Sequence, residues 1–65
     1  MTATVGVQSI EAHERAAVGH DNAAAESAAR GDDARAETER RAARIERELA
    51  ENARTRFAVS VSSQP

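Results

Sequence analysis

Two histidines are the side chains of this 65-residue chain that titrate near neutral pH. His13 and His20 are seven residues apart, so on a helix they lie on the same side, about 10.5 Å apart along the axis. That separation is too long for one metal ion, which helices bind through histidines four residues apart. We therefore expect no metal site and no cofactor. Exposed or rim histidines are the primary interpretation, and a pH-responsive interface is the alternative.

Four arginines form a second group of side chains that could bind a ligand. They fall within about 80° of one another on a helical wheel. We call them the arginine row: Arg40, Arg44, Arg47 and Arg54. Such a row could contact an acidic protein surface or follow the phosphates of a nucleic acid. However, Glu51 lies within the row, no aromatic residue interleaves it, and the formal net charge of the chain is -2. A solvated, salt-paired helix face is the primary interpretation.

Catalysis is not expected from this composition. The chain has no cysteine, no glycine-rich phosphate loop, and no serine with a base at a recognisable spacing. Its carboxylates have arginines nearby or lie on solvated faces, so none resembles a group with a raised pKa for acid or base chemistry. A chain this short also forms a water-excluding pocket with difficulty. The sequence predicts a protein that is not an enzyme.

The elements that carry these residues are helices. Residues 9 to 56 are dominated by alanine, glutamate and arginine, and the one proline is Pro65. Opposite charges recur four residues apart, as in Glu37 and Arg41, which favours helix without specifying a fold. The charge is also uneven, since residues 1–33 are acidic in balance and residues 34–65 are basic. The two halves should therefore attract each other.

One position predicts a break in the helical region. Gly31 suits the residue after a helix end, and the aspartate that follows suits the cap of a new helix. The break predicts helices over 9–30 and 32–56, which are similar in length and could form an antiparallel hairpin. A single helix of about 48 residues, roughly 70 Å long, is the alternative, because one glycine costs only about 1 kcal/mol.

A helix interface is predicted from apolar residues at helical spacing. In the first helix these are almost all small, and in the second they include two large aliphatic side chains. The predicted interface consists of Ile10, Ala17, Ala24, Ala42, Ile45, Leu49 and Ala53. Small residues let two helices approach closely, although such a contact buries little area.

Both ends of the chain alternate apolar and polar residues, which is typical of half-buried strands. We predict strand-like ends over 2–7 and 57–62, followed by a tail over 63–65. Their contacts would come from Val5, Val7, Phe57, Val59 and Val61. Frayed polar tails are the alternative.

The whole chain, residues 1–65, is predicted to be one small, mostly α unit that needs self-association or a partner. Of its apolar residues, 16 are alanine and only ten have larger side chains. No disulfide compensates for so small a core. No signal peptide or transmembrane segment is recognised, so we expect a cytoplasmic location or a place within an assembled particle.

The predicted function is that of a non-catalytic structural subunit in a larger complex, such as a minor virion or accessory-complex protein. Helix packing and strand addition by the two ends would hold it in place. A small dimeric regulator, antitoxin-like, that presents the arginine row to nucleic acid is one alternative. A largely disordered peptide that binds a partner is another.

Overall fold

The computed structural model of this protein is an antiparallel hairpin of two helices. Helix α1 spans Thr2–Ala29 and helix α2 spans Asp33–Ser62. The structure describes the backbone over residues 2–62 and the side chains over residues 8–59. The helices pack along their length, and the molecule measures 55 × 15 × 9 Å. The mostly α class and the hairpin are therefore confirmed, and the single long helix is excluded.

Three residues make the turn, and hydrogen bonds to the end of α1 fix it. Gly31 has a positive φ of 80°, a conformation that glycine adopts without steric cost. Its amide donates to the carbonyl of Ala28 at 2.9 Å, and the amide of Asp32 donates to the carbonyl of Ser27 at 2.8 Å. These two bonds define a Schellman motif with glycine at its left-handed position. The predicted bend at Gly31 is confirmed.

Asp32 also begins the second helix. Its Oδ1 accepts a hydrogen bond from the amide of Arg35 at 3.1 Å, and its carbonyl accepts the amide of Ala36 at 3.0 Å. A side-chain acceptor at this position satisfies one of the free amides of a first helical turn. One residue therefore ends the turn and caps α2, so the two helices are joined with almost no loop.

The seam between the helices follows a seven-residue repeat of alanine. Ala17 and Ala24 of α1 face Ala36, Ala43 and Ala50 of α2, and each is at most 4 % exposed. A repeat of seven keeps the same residues in contact along two closely packed helices. Because alanine has only a methyl side chain, the backbones can approach closely.

The open end of the seam is filled by a larger side chain. Ile10 is 9 % exposed and contacts Ala50 and Ala53 of α2. Phe57, seven residues after Ala50, is half-buried at the same end. At the turn end of the seam, the last buried residue of α1 is Ser27, which lies seven residues after His20. The aliphatic and aromatic groups of the seam are therefore concentrated away from the turn.

The strands predicted at the two ends are wrong for the described backbone, because the helices run through both segments. Residues 2–7 belong to α1, and residues 57–62 belong to α2. A helix that already exists gains one hydrogen bond for each residue added to it, whereas an isolated pair of strands is marginal in water. Local alternation was therefore overridden by continuation of the helix.

The side-chain contacts predicted for those ends are largely outside the described residues. This applies to Val5, Val7 and Val61. Val59 is described and is 62 % exposed, on the outer surface of α2. Of the two described members of this set, Phe57 lies in line with the seam and Val59 does not.

The large aliphatic residues of α2 do not lie in the seam with α1. Ile45 is 56 % exposed, Leu49 is 40 % exposed, and Ala42 is half-buried at the margin. Leu49 precedes the buried Ala50 by one residue, which places it about 100° around the helix. The alanine repeat takes the inner position because methyl groups on both helices permit a closer contact than these larger side chains would allow.

Candidate interaction surfaces of the hairpin

Two histidine–glutamate pairs lie between the alanine layers of the seam. His13 Nδ1 is 2.7 Å from Glu46 Oε1, and His20 Nδ1 is 2.7 Å from Glu39 Oε1. All four side chains are between 13 and 37 % exposed. Each histidine lies three residues after a buried residue of α1, so it occupies the second position of the seven-residue repeat. The seam thus alternates apolar and polar layers.

The chemistry of these layers is a hydrogen bond from imidazole to carboxylate, which becomes an ion pair when the histidine is protonated. Glu39 also accepts a hydrogen bond from Arg35 Nε at 3.1 Å. Hydrogen bonds from His20 and Arg35 lower the pKa of Glu39 below its ordinary value. Glu39 is therefore ionised at neutral pH and links the seam to the first turn of α2.

Sequence reasoning placed the two histidines on the same side of α1 but missed their partners. A signal was present, because Glu39 and Glu46 are also seven residues apart. His20 lies 11 residues before Gly31 and Glu39 lies 8 residues after it, while His13 and Glu46 lie 18 before and 15 after. Reflection of the chain about Gly31 would have paired His20 with Ala42 and His13 with Leu49, so the three-residue offset in both observed pairs was the missing information.

A second set of pairs crosses between the helices on one broad side of the hairpin, which we call the charged face. Arg47 Nη2 donates to Asp21 Oδ2, and Arg54 Nη2 donates to Glu14 Oε2. The hydrogen bond with Asp21 raises the pKa of Arg47 above its ordinary value. These contacts join the acidic half of the chain to the basic half, as the uneven charge predicts.

Every member of the arginine row has a carboxylate partner on this face. Arg40 Nη1 is 3.6 Å from Glu37 Oε2, and Arg44 Nη2 is 3.9 Å from Glu37 Oε1. Arg54 additionally lies 3.7 Å from Glu51. A phosphate group would have to compete with these carboxylates. The row therefore has the character of a solvated, salt-paired surface.

The opposite broad side of the hairpin has a different chemistry, and we call it the apolar face. Its residues each precede a seam residue by one position, which corresponds to a rotation of about 100° to the same side in both antiparallel helices. Its central members are Ser9, Ala12, Ala16, Gly19, Ala23, Thr38, Ala42, Ile45 and Leu49. None of these nine residues carries a charge.

The two broad faces thus differ as water-facing surfaces. On the apolar face two large aliphatic side chains, Ile45 and Leu49, are one helical turn apart and substantially exposed. Val18 and Val59 are exposed elsewhere as single residues, which is ordinary for a protein surface. A pair of exposed aliphatic groups within an uncharged surface is typical of a contact site.

Comparisons with known proteins identify no relative of this chain. No family model matches it, and no curated protein or solved structure is significantly similar. Within the described residues, neither helix has a stretch that is both long enough and apolar enough to cross a bilayer. The chemistry of the two broad faces is therefore what indicates a function.

Proposed function

We propose that this chain is a non-catalytic interaction subunit, which docks onto a protein surface through its apolar face and contributes two helices to a larger assembly. The observation that carries the proposal is the contrast between an uncharged face with exposed Ile45 and Leu49 and an opposite face covered by ion pairs. Docking through helix packing replaces the strand addition expected from the sequence.

The small size of the seam supports a role that includes a partner. Alanine buries little apolar area, so the contact between α1 and α2 removes less surface from water than a leucine-rich seam would. Burial of a fully exposed leucine or isoleucine contributes roughly 1.5–3 kcal/mol, and about half of that remains to be gained at Ile45 and Leu49, which are 56 and 40 % exposed. Covering Ile45 and Leu49 would therefore add substantially to the stability of so small a unit.

The ionisable groups support a non-catalytic role. The histidines that could act as bases donate to Glu46 and Glu39 within the seam. The row arginines that could bind an anionic substrate are paired with carboxylates. These groups serve to join the two helices and to solvate one face.

A photo-crosslinking side chain at one of two exposed alanines of α1 tests the proposal. Position 12 lies on the apolar face, and position 25 lies on the charged face of the same helix. In the native cells, position 12 should form a covalent adduct of defined mass, whereas position 25 should not. Absence of any adduct from position 12, or equal yields from both positions, would contradict docking through the apolar face.

A further inference from the structure

The proposed function leaves the occupant of the apolar face open, and here we infer that it is a second copy of this chain. Two hairpins would stack through their apolar faces and form an antiparallel four-helix bundle with two-fold symmetry. This inference rests on the proposed function, because it identifies the partner at that same face. Three features of the face support it: a glycine, a size complementarity and a charge complementarity.

The glycine is Gly19, in the middle of α1. A glycine inside a helix costs about 1 kcal/mol relative to alanine. A Cβ at this position would meet nothing within 4 Å, and the positive φ that favours glycine is found only at Gly31 among the described residues. The hairpin itself therefore has no need of glycine at this position. Glycine at position 19 would be explained by a second helix that approaches α1 closely there, because a side chain would keep the two backbones apart.

The size complementarity lies in the two halves of the face. The α1 half is a row of small residues, from Ala12 to Ala23, whereas the α2 half carries Ile45 and Leu49. A two-fold axis parallel to the helices places α2 of one copy over α1 of the other. Large side chains of each copy would then enter the row of small residues on its partner.

The heights of these residues along the hairpin agree with that arrangement. His13 pairs with Glu46, so residue 45 is level with residue 14 and residue 49 is level with residue 10. Under the two-fold axis, Ile45 therefore lies between Ala12 and Ala16 of the partner copy. Leu49 lies beside Ala12 of that copy, on the side toward the open end. The same face supplies both the protruding and the receiving residues, which a self-complementary interface requires.

Charge and area are also compatible with a second copy. The nine central residues carry no charge, so two copies meet without repulsion. At the turn end of the face, Arg35, whose Nε donates to Glu39 of its own chain, is level with residue 24 and therefore close to Glu26 of the partner copy. The broad side of the hairpin is 55 Å long and 15 Å wide, and the uncharged part of the face covers about 21 Å of that length on α1, so an interface of the roughly 800 Å² per partner that stable complexes bury would extend beyond it to the flanking Glu26 and Arg35.

Sedimentation equilibrium of the full chain at micromolar concentration tests the inference. We expect the wild-type chain to have the mass of two copies. Ala12→Glu introduces a charge into the centre of the proposed interface and should weaken association at least tenfold, whereas Ala25→Glu introduces the same charge on the opposite face and should leave it unchanged. A monomeric wild-type chain, or equal effects of the two variants, would overturn the inference.

Disulfide formation provides a second measurement that does not depend on a destabilising charge. The chain has no cysteine, so Ala12→Cys and Ile45→Cys chains with different tags can be mixed and oxidised. The inferred packing predicts rapid formation of the mixed disulfide and slow formation when Ala25→Cys replaces Ala12→Cys. Equal rates in the two mixtures would overturn the arrangement.

The crosslinking experiment at position 12 separates failure of this inference from failure of the proposed function. An adduct with the mass of two chains supports both. An adduct between this chain and a different protein, together with a monomeric purified chain, overturns the inference and leaves the docking function intact. A monomeric chain without any adduct overturns both.

Discussion

At the scale of single residues, the alanines of the seam and the histidine–glutamate pairs have different roles. The alanines permit close approach but are almost interchangeable, since a shift of seven residues would bring one alanine layer onto the next. The pairs are not interchangeable. Such a shift would leave two of the four polar side chains without their partners, so His13 and His20 fix the register of the hairpin, as polar residues do in other helix seams.

The alanine layers can be tested by substitution with leucine. Ala17→Leu should reduce the free energy of unfolding by about 1–3 kcal/mol, because a side chain that is 1 % exposed has no space for three more carbons. Ala25→Leu, at an exposed position of the same helix, is the control and should have little effect. Urea unfolding followed by circular dichroism measures both. Equal stabilities of the two variants would contradict a close-packed seam at Ala17.

The lowered pKa of Glu39 predicts a dependence of stability on pH. A carboxyl group whose pKa is lower in the folded state stabilises the fold at pH values above its ordinary pKa of 4.5. This contribution is lost as the pH falls through the lowered pKa. Glu39→Gln should therefore reduce the melting temperature at neutral pH. The difference from wild type should disappear in acid.

The control for that experiment is Glu48→Gln in the same helix, since Glu48 is exposed and has no ion pair among the described side chains. Its melting temperature should follow that of the wild type at neutral pH. A Glu39→Gln deficit that persists unchanged in strong acid would show that the carboxylate charge is not the cause.

At the scale of elements, the turn depends on one backbone conformation. Gly31→Ala should lower the free energy of unfolding by about 1–2 kcal/mol, because a side chain disfavours the left-handed region. Gly31→Asn should cost less, since asparagine tolerates that region better. Thermal melts of the two variants check the order. An alanine variant as stable as the wild type would contradict the Schellman turn.

The turn was also the feature that the sequence predicted best, and the reason is that its rules are local. A glycine followed by an aspartate carries both the end of one helix and the cap of the next within three residues. The mirror relation between His20 and Glu39 was equally present in the sequence. Finding it also required the three-residue offset, because reflection about Gly31 would pair His20 with Ala42.

The inner face of α2 was harder to predict, because two repeats run side by side along that helix. One contains Ala43 and Ala50, and the other, one residue earlier, contains Ala42 and Leu49. Hydrophobicity favours the second, since Leu49 and Ile45 are the two large aliphatic residues within the predicted helix 32–56. The structure buries the first repeat, because its methyl groups allow closer packing. This preference appears only when both helices are considered together.

The ends of the chain illustrate the limit of local patterns. Alternating valines predict strands, yet a strand requires another strand beside it, and the described chain contains two helices that simply continue. In the helices, the backbone carbonyls of residues 2–7 and the backbone amides of residues 57–62 bond within the same helix. Sequence alternation over six residues could not show which source of hydrogen bonds would be used.

At the scale of the whole molecule, the hairpin has two broad faces with opposite properties. On one face, charged side chains of α1 and α2 pair with each other, as Asp21 does with Arg47. The other face has no charge at its centre and exposes Ile45 and Leu49. The sequence predicted a need for a partner from its small core, and it placed Ile45 and Leu49 in one helix interface together with residues that the structure buries in the seam. The hypothesis of a second surface follows from the exposure of Ile45 and Leu49.

The dependence of the melting temperature on chain concentration tests the central claim most directly. If the chain completes its fold through a second copy at the apolar face, folding and association are coupled, and the melting temperature of the wild-type chain should rise steadily with concentration. Ala25→Glu should show the same rise, and Ala12→Glu should not. A melting temperature of the wild-type chain that is independent of concentration would contradict the account.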